Sequence, residues 1–384
     1  MTGGPLDHDV VIGLLQSLVR IPSVNPAIAP DEAHGERAVA EFARDWLLAR
    51  GVRAWLEEAT PGRPNAVAEV GRPEGPGVRT LVLCAHLDTV GTAGMTIPPF
   101  EPRIDGGHVY GRGAYDMKGG VAACMAAAAA LAREEFGGRV LLALVADEEY
   151  ESVGAADFVR RHKADGCILT EASEGDLIIA HKGFVWADVV TQGRAAHGSR
   201  YDLGVSAVAR MGRIIAALDR FDTEVLRKRE APYVGRASMH CAVVRGGVGL
   251  STYAPDCALQ VERRTLPGET ADQVLEELRG VVRDAGEEAT VTIRTFRAPL
   301  TTPADAPVAR ATRAAIEAVT GREPAERGVA YWMDAAIFAE AGIPAVDYGP
   351  SGAGAHEAVE WVDAESVTRT AQVLAEAARR FQAG

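Results

Sequence analysis

Histidine and carboxylate residues follow four apolar stretches of the sequence, and together they could bind metal ions. They lie in "HLD" at 86–88, "DEE" at 147–149, "TE" at 170–171 and "AHE" at 355–357. In open α/β sheets ligands collect beyond the carboxyl ends of the strands, so residues that follow buried strands can share one site. Any one segment alone is also typical of a loop histidine or a solvated helix start. Four such segments together indicate a common site.

The types of side chain in these segments suit a particular group of metals. The donors are two histidines and several carboxylates without a cysteine, which favours zinc, cobalt or manganese. Asp88 lies two residues from His86, so in an extended segment both side chains point the same way and the carboxylate could orient the imidazole. The adjacent Glu148 and Glu149 point differently, so one could bind metal while the other transfers protons. This division of roles indicates metal-assisted hydrolysis.

A glycine-rich segment, "YGRGAYDMKGG" at 110–120, could instead bind a phosphate. A dinucleotide-binding loop needs a third glycine where this chain has Asp116, and a P-loop needs Ser or Thr after the lysine, whereas Lys118 is followed by glycines. A nucleotide-binding protein is therefore disfavoured. We expect a stiff turn at this segment to hold Asp116 where it can bridge two cations.

The overall composition limits the class of protein. The chain has 384 residues, 47% of them hydrophobic, which is enough for a large core and two domains. Its net charge of -13 argues against neutralisation of nucleic-acid phosphates. No apolar run reaches the roughly 20 residues of a membrane span, and the first residues lack the pattern of an export signal. We expect a cytoplasmic protein with no nucleic-acid or membrane partner.

Strands and helices alternate in the two ends of the sequence. Strands are predicted at 52–58, 65–70, 79–85, 139–146, 166–170 and 343–349, and helices at 7–20, 32–50, 117–135, 152–163, 334–341 and 363–382. Several of the strands are apolar throughout, which is typical of strands buried on both faces. This predicts an α/β fold with a mostly parallel or mixed sheet flanked by helices.

The middle of the chain has a different order of elements. It reads strand 185–192, helix 204–219, strands 238–245 and 256–263, helix 270–286 and strand 289–296. This β-α-β-β-α-β order is that of a ferredoxin-like unit. Its strands alternate between apolar and polar residues, which indicates an antiparallel sheet with one exposed face. We predict an inserted domain at 184–297, within a catalytic metal-binding domain formed by 1–183 and 298–384.

The motifs as a set resemble those of a known family. "AHLDTV", "GRGAYDMKGG", "VADEE", "LTE", "AAHGS", "ERRTLPGE" and "GAHEAVEWV" occur in the order and spacing of the di-zinc aminoacyl hydrolases, metallopeptidase family M20. This family includes acetylornithine deacetylase, succinyl-diaminopimelate desuccinylase, carboxypeptidase G and the aminoacylases. The resemblance covers nearly the whole chain, including the inserted domain.

The resemblance implies a dinuclear metal site. Asp116 would bridge two Zn²⁺ ions, which Co²⁺ or Mn²⁺ could replace. His86 and Glu171 would complete the ligands of one ion, and Glu149 and His356 those of the other. An amide bond would then be cleaved by a hydroxide that bridges the two ions.

The resemblance also implies roles for residues that do not bind metal. Glu148 would be the general base, and Asp88 would orient His86. The inserted domain would be a lid and dimerisation domain, from which His197 reaches the active site of the partner subunit in a homodimer and stabilises the oxyanion. Arg264 would bind the substrate carboxylate, a task that suits a planar bidentate donor. Thr252 stands where many relatives have an asparagine that contacts substrate.

The resemblance implies a small substrate, an N-acyl amino acid or a dipeptide. The sequence leaves a deacetylase-like enzyme and a dipeptidase or carboxypeptidase of the same family as alternatives. A non-catalytic relative that binds a ligand is a further alternative. A serine hydrolase, suggested by "GPSGAG" at 349–354, is disfavoured because Ala353 replaces the second glycine of the nucleophile elbow.

Overall fold

The computed structural model describes residues 4–32 and 34–383. Helices α1 to α9 span, in chain order, His8–Val19, Arg37–Leu48, Gly119–Leu131, Val153–Arg161, Ala207–Glu224, Ala271–Asp284, Pro307–Thr320, Ala335–Glu340 and Ala364–Ala383. Strands β1 to β19 span Arg53–Thr60, Arg63–Gly71, Thr80–His86, Arg103–Asp105, His108–Tyr110, Arg139–Val145, Gly166–Leu169, Leu177–His181, Gly183–Gln192, Glu230–Ala231, Gly235–Arg236, Ser238–Gly246, Asp256–Thr265, Thr290–Arg297, Leu300–Thr301, Glu326–Val329, Ala345–Asp347, Gly352–Ala353 and Trp361–Asp363. Within the described ranges, no helix has both the length and the apolar character needed to cross a membrane.

The chain divides into two compact units. The first comprises Met1–Ile179, Thr302–Arg327 and Met333–Gly384, and the second comprises Ala180–Thr301 and Gly328–Trp332. The main segment of the second unit, Ala180–Thr301, extends four residues beyond each end of the insert predicted at 184–297. The short segment 328–332 has no counterpart in the predicted boundaries.

The first unit is built on a mixed sheet. Its strand order includes β1-β2-β6-β3-β7-β17-β8, in which β3 pairs in parallel with β6 and β7, and β17 pairs in parallel with β7. Every residue of β3 is buried, because helices cover both faces of this part of the sheet. The parallel strands bring their carboxyl ends to one edge. The α/β fold predicted from the apolar runs is confirmed.

Helix α3 lies against this sheet with little space between them. It reads "GGVAACMAAAAAL", and nearly all of its small side chains are buried. A Cβ atom added at Gly120 would lie 2.4 Å from the carbonyl oxygen of Thr170, so a larger residue would collide with the sheet. Glycine at position 120 therefore permits the close packing of this helix on the sheet.

A small antiparallel sheet in the first unit brings distant loops together. It has the order β18-β19-β5-β4. Trp361 of β19 pairs with Tyr110 of β5, so the residues just before Trp361 lie beside those just after Tyr110. The glycine-rich segment and the segment that follows His356 are therefore neighbours.

The second unit has a four-stranded antiparallel sheet with the order β12-β13-β9-β14. Buried side chains on one face, such as Leu259 and Val261 of β13 and Val189 of β9, join those of α5 and α6 in a single core. The intervening residues face outward and are partly or fully exposed. The strand and helix order is the ferredoxin-like order predicted for the insert.

Candidate metal centre

His86 ends the buried strand β3, with its imidazole directed toward two carboxylates. Its Nδ1 lies 3.0 Å from the carbonyl oxygen of Asp88. A carbonyl oxygen can only accept, so Nδ1 carries a hydrogen and Nε2 is the nitrogen that can bind a metal. Nε2 lies 3.1 Å from Asp116 Oδ1 and 3.6 Å from Glu171 Oε1.

Asp116 connects the two histidines of the site. Its Oδ1 faces His86, and its Oδ2 lies 3.2 Å from Nε2 of His356. The peptide bond between Asp116 and Met117 is cis. A carboxylate with one oxygen directed at each imidazole has the arrangement that a bridging ligand requires.

His356 and Glu149 form the second half of the cluster. Nε2 of His356 lies 3.1 Å from the carboxylate of Glu149. His356 follows the loop after β17 and has a φ of 62°, in the left-handed region. Its side chain is about half exposed, in contrast to the buried His86.

The structure brings together the residues that the sequence places at the strand ends. Ligand atoms of His86, Glu148 and Glu171 all lie within 4.8 Å of one another, and the same holds for His86, Asp116 and Glu149. Glu148 is therefore as close to the cluster as the proposed ligands are.

The electrostatics of the cluster fit divalent cations. Burial raises the pKa of Glu171 to about 8, against the opposing charge of His86. Burial also raises the pKa of Glu148 and of Glu149. The hydrogen bonds with Asp116 and Glu149 raise the pKa of His356 to about 10. Burial disfavours the charged form of these neighbouring carboxylates, and a bound divalent cation, for which imidazole and carboxylate groups are suitable ligands, would offset that penalty.

Asp88 fixes both His86 and the turn that carries the two adjacent glutamates. Its carboxylate accepts hydrogen bonds from the backbone N–H groups of Glu148 and Glu149, at 3.1 and 3.2 Å. Burial acts to raise the pKa of Asp88, but the interactions with His86 and other donors outweigh it, so the pKa falls below its usual value. Asp88 is therefore an anion that positions His86 at the end of β3 and the two glutamates in the turn after β6.

Asn25 is a residue of this site that the sequence reasoning missed. Its Nδ2 donates to Asp88 Oδ2 at 2.8 Å and to Asp147 Oδ1 at 3.0 Å. Its Oδ1 accepts from the backbone N–H of Ala27 at 2.9 Å, which sets the orientation of the amide. Asp147 also pairs with Arg63 at 2.7 Å. Asn25 thus separates two buried carboxylates by donating to both.

Glu360 holds the turn that presents Asp116, and it was also missed. One carboxylate oxygen accepts from the backbone N–H groups of Tyr115 and Asp116, at 2.9 and 3.0 Å. The other accepts from the N–H of Gly113 at 2.9 Å and from Arg112 at 2.7 Å. Gly113 has a φ of 77°, which favours glycine. The turn is therefore wrapped around a single buried carboxylate.

Arg112 connects Glu360 to two other loops. Its guanidinium donates to the carbonyl oxygens of Gly91, at 3.1 Å, and Glu357, at 3.2 Å. Glu357 directly follows His356, so the arginine links the segment of this histidine to the turn of Asp116. The signal available in the sequence was the second glutamate of "HEAVE", four residues after His356.

The remaining residues predicted for the site belong to the second unit. His197 and Thr252 lie opposite each other in a short antiparallel bridge, and both are exposed. Nδ1 of His197 lies 2.8 Å from the hydroxyl of Ser199. Arg264 lies near the end of β13 and pairs with Glu262 at 2.7 Å. The structure thus brings His197 and Thr252 together within this unit.

An α/β sheet that gathers imidazoles and carboxylates at its strand ends, in a chain with an inserted ferredoxin-like unit, has the features of a metal-dependent hydrolase. The chain belongs to peptidase family M20/M25/M40, whose family profile matches residues 82–380. It is therefore a hydrolase that acts on C–N bonds. The family resemblance seen in the sequence motifs is confirmed.

The chain is similar to individual proteins in sequence or in fold. The chain is 31% identical to an acetylornithine deacetylase of Myxococcus xanthus over 362 residues, 90% of this chain and 92% of that protein. The aminopeptidase PepT of Bacillus cereus ATCC 10987 has a similar fold, with a TM-score of 0.81 and 18% identity over 98% of this chain and all of its own. The YXEP protein of Bacillus subtilis, described as a dinuclear metal-binding peptidase, gives a TM-score of 0.74 with 18% identity over 97% of each chain.

Proposed function

We propose that the protein hydrolyses the amide bond of an N-acyl amino acid, in the manner of a deacetylase, with two divalent cations as cofactors. The observation that carries the proposal is the position of Asp116, with one oxygen toward His86 and the other toward His356. Zinc is the cation that this donor set favours, with cobalt or manganese as substitutes. The identity with an acetylornithine deacetylase over most of the chain supports this class of substrate.

In this proposal five residues hold the cations. Asp116 would be a ligand shared by both ions, His86 and Glu171 would complete one ligand set, and Glu149 and His356 would complete the other. Bound cations of this kind lower the pKa of water and polarise a carbonyl oxygen. The chain itself must keep the imidazoles and carboxylates in place, which is the task of Asp88 and of the turn around Glu360.

Glu148 is the proposed general base. It lies with His86 and Glu171 in one group of potential ligand atoms, while its backbone is held by Asp88. A carboxylate so placed can take a proton from the attacking water and return it to the leaving amine. Its neighbour Glu149 is the one that contacts His356, which leaves Glu148 for proton transfer.

Residues of the second unit are proposed to bind substrate. His197 would stabilise the oxyanion in the active site of a partner subunit, Arg264 would bind the substrate carboxylate, and Thr252 would contact substrate beside His197. The pairing of His197 with Thr252 supports a shared role for these two residues. Arg264 offers a planar guanidinium suited to a carboxylate.

A homodimer formed through the inserted domain is part of the proposal. Strand β12 is an edge of its sheet, so its backbone can pair with another strand. Val244, Val248 and Leu250, on and just after this strand, are 55%, 69% and 108% exposed. Light scattering should give twice the 40.5 kDa of one chain, and Val244→Asp should shift the protein toward the monomer. A monomeric wild-type protein would contradict this part of the proposal.

The catalytic proposal is tested by hydrolysis assays on protein that has been stripped of metal with a chelator. N-acetyl amino acids and dipeptides are supplied before and after addition of zinc, cobalt or manganese. We expect hydrolysis of N-acetyl amino acids only after metal is restored. Preference for dipeptides would instead favour the peptidase alternative, and metal binding without any hydrolysis would favour a non-catalytic relative. A cytoplasmic location remains a prediction from the sequence, to be checked by cell fractionation.

A further inference from the structure

A row of three residues crosses the outer face of the sheet in the second unit. Arg264 of β13 is directly opposite Phe184 of β9, and Phe184 is directly opposite Arg297 of β14. Directly opposite residues of antiparallel strands point to the same face, with Cβ atoms about 4.5–5.5 Å apart. The neighbours Val185 and Arg263 are buried on the other face. An aromatic ring is therefore flanked on both sides by arginines.

A tryptophan completes this arrangement. Trp332 packs edge-to-face on Phe184, with ring centroids 6.1 Å apart and an interplanar angle of 89°. Its Nε1 donates to the carbonyl oxygen of Ala298 at 3.1 Å, which fixes the indole. The guanidinium carbon of Arg264 lies 5.4 Å from the centroid of Phe184, and that of Arg297 lies 5.5 Å from the centroid of Trp332. The two arginines therefore lie over different rings.

Arg264 is held in position by neighbours on the same face. Its Nε contacts Glu262 at 2.7 Å, and the other oxygen of Glu262 accepts from the indole N–H of Trp186 at 3.0 Å. A guanidinium has five N–H donors, so the contact through Nε leaves the terminal NH₂ groups for a ligand. A side chain fixed in this way loses less conformational freedom when it binds an anion.

Positive charges are crowded at this end of the sheet. Burial, followed by the charges of Arg264 and Arg263, lowers the pKa of Lys182. The amine of Lys182 donates to the carbonyl oxygen of Arg236 at 2.5 Å, which keeps it in this region. The amine of Lys182 and the guanidinium of Arg264 therefore place two positive charges near each other, which favours binding of an anion.

We propose that Arg264 and Arg297 bind two different carboxylates of one substrate, with Phe184 and Trp332 in contact with the chain between them. Strands β13 and β14 are two strand spacings apart, about 9.5 Å. Together with the different rings that the arginines cover, this separation favours two anionic groups over one shared group. The inference rests on the proposed function and narrows the substrate to an N-acyl amino acid with a second carboxylate.

The second carboxylate could belong to the acyl group or to the amino-acid side chain, and matched substrates distinguish these sources. N-succinyl and N-acetyl derivatives of one amino acid test the acyl group, and N-acetylglutamate and N-acetylglutamine test the side chain. In the zinc-loaded wild-type enzyme, kcat/KM should be about 10–100-fold higher for the dicarboxylate member of one pair, as expected for a charged hydrogen-bonded contact.

Arg297→Gln should abolish the preference for the dicarboxylate substrate by raising the KM for that substrate. The kcat/KM for the monocarboxylate substrate of the same pair should change less than about threefold. Arg297→Lys should retain part of the preference, since it keeps the charge but loses the bidentate geometry. Arg294→Gln is the matched control. Arg294 lies on the same strand and its guanidinium pairs with Asp188, so its loss should leave both substrates unaffected. Circular dichroism checks that each variant folds. If Arg297→Gln does not fold, the test is whether Arg297→Lys shows the expected partial loss of the preference for the dicarboxylate substrate.

Calorimetry with glutarate and butyrate on the zinc-loaded protein separates this inference from the proposed function. If no amide is hydrolysed but glutarate binds more tightly than butyrate in an Arg297-dependent manner, the proposed function fails and the dicarboxylate site stands. If amides are hydrolysed but Arg297→Gln affects neither member of a pair, or both equally, the inference is overturned.

Discussion

The proposed metal cluster of the first unit and the outer face of the second unit hold the side chains to which we assign functions in different ways. In the cluster, buried carboxylates accept hydrogen bonds from backbone N–H groups. Asp88 accepts one from Glu148, and Glu360 accepts one from Asp116. On the outer face, Arg264 is held by another side chain, Glu262, on a partly exposed surface. Backbone contacts of this kind fix positions closely, as metal-assisted chemistry requires. We expect the side-chain contacts of the outer face to be replaceable with little effect on the fold, which would suit substrate selection.

Replacement of Glu148 tests the catalytic role proposed for the cluster of the first unit, and it has the largest expected effect. Glu148→Gln should lower kcat about 10²–10⁴-fold, because the proton acceptor is lost. Zinc content, measured by mass spectrometry, should remain that of the wild type. Glu151→Gln, at an exposed position three residues further on, should leave both quantities unchanged. A Glu148→Gln enzyme with near wild-type kcat would remove the residue from the mechanism.

Replacement of Glu360 tests whether a buried residue outside the proposed ligand set controls the metal site. Glu360→Gln should weaken zinc affinity about 10–100-fold, because the turn of Asp116 loses its central anion. The control is Glu357→Gln, since Glu357 is exposed and contacts Arg112 only through its backbone. Zinc titration with a competing chelator measures both variants. Equal affinities in the two would show that the buried carboxylate does not position Asp116.

Removal of the Asn25 amide should have a smaller effect, mainly on stability. Asn25→Ala leaves Asp88 and Asp147 each without one donor, so the free energy of unfolding should fall by about 1–3 kcal/mol. Chemical denaturation of the zinc-loaded protein measures this change. An unchanged unfolding midpoint would mean that water replaces the amide at no cost.

The smallest effect is expected on the outer face of the second unit. Arg294 and Asp188 form a pair whose side chains are 46% and 30% exposed. Arg294→Gln should therefore change the free energy of unfolding by no more than about 1 kcal/mol. A larger loss, measured by the same denaturation experiment, would show that this face contributes to the fold as the cluster does.

The sequence predicted those features that depend on local pattern. Strand β3 could be identified from its continuous apolar run, and the residue after each such run pointed to the cluster. Helix α7 was missed although Pro307 stands at its first position and Gly321 follows it. Three of its buried residues, Ala309, Ala311 and Ala315, are alanines, so its apolar stripe is weak in the sequence.

Other features depend on contacts that a sequence does not display. Glu360 accepts hydrogen bonds from the backbone of residues more than 240 positions away, and backbone donors carry no residue-specific signal. The row of Arg264, Phe184 and Arg297 exists only because three strands pair in one particular register. A shift by one residue would turn the side chains of a strand to the opposite face.

Anomalous X-ray diffraction from crystals of the zinc-loaded protein, recorded on both sides of the zinc absorption edge, tests the central claim most directly. The expected result is two zinc peaks per chain on either side of Asp116, one in contact with His86 and Glu171 and the other in contact with Glu149 and His356. A single peak, or peaks that do not contact Asp116, would contradict the dinuclear site.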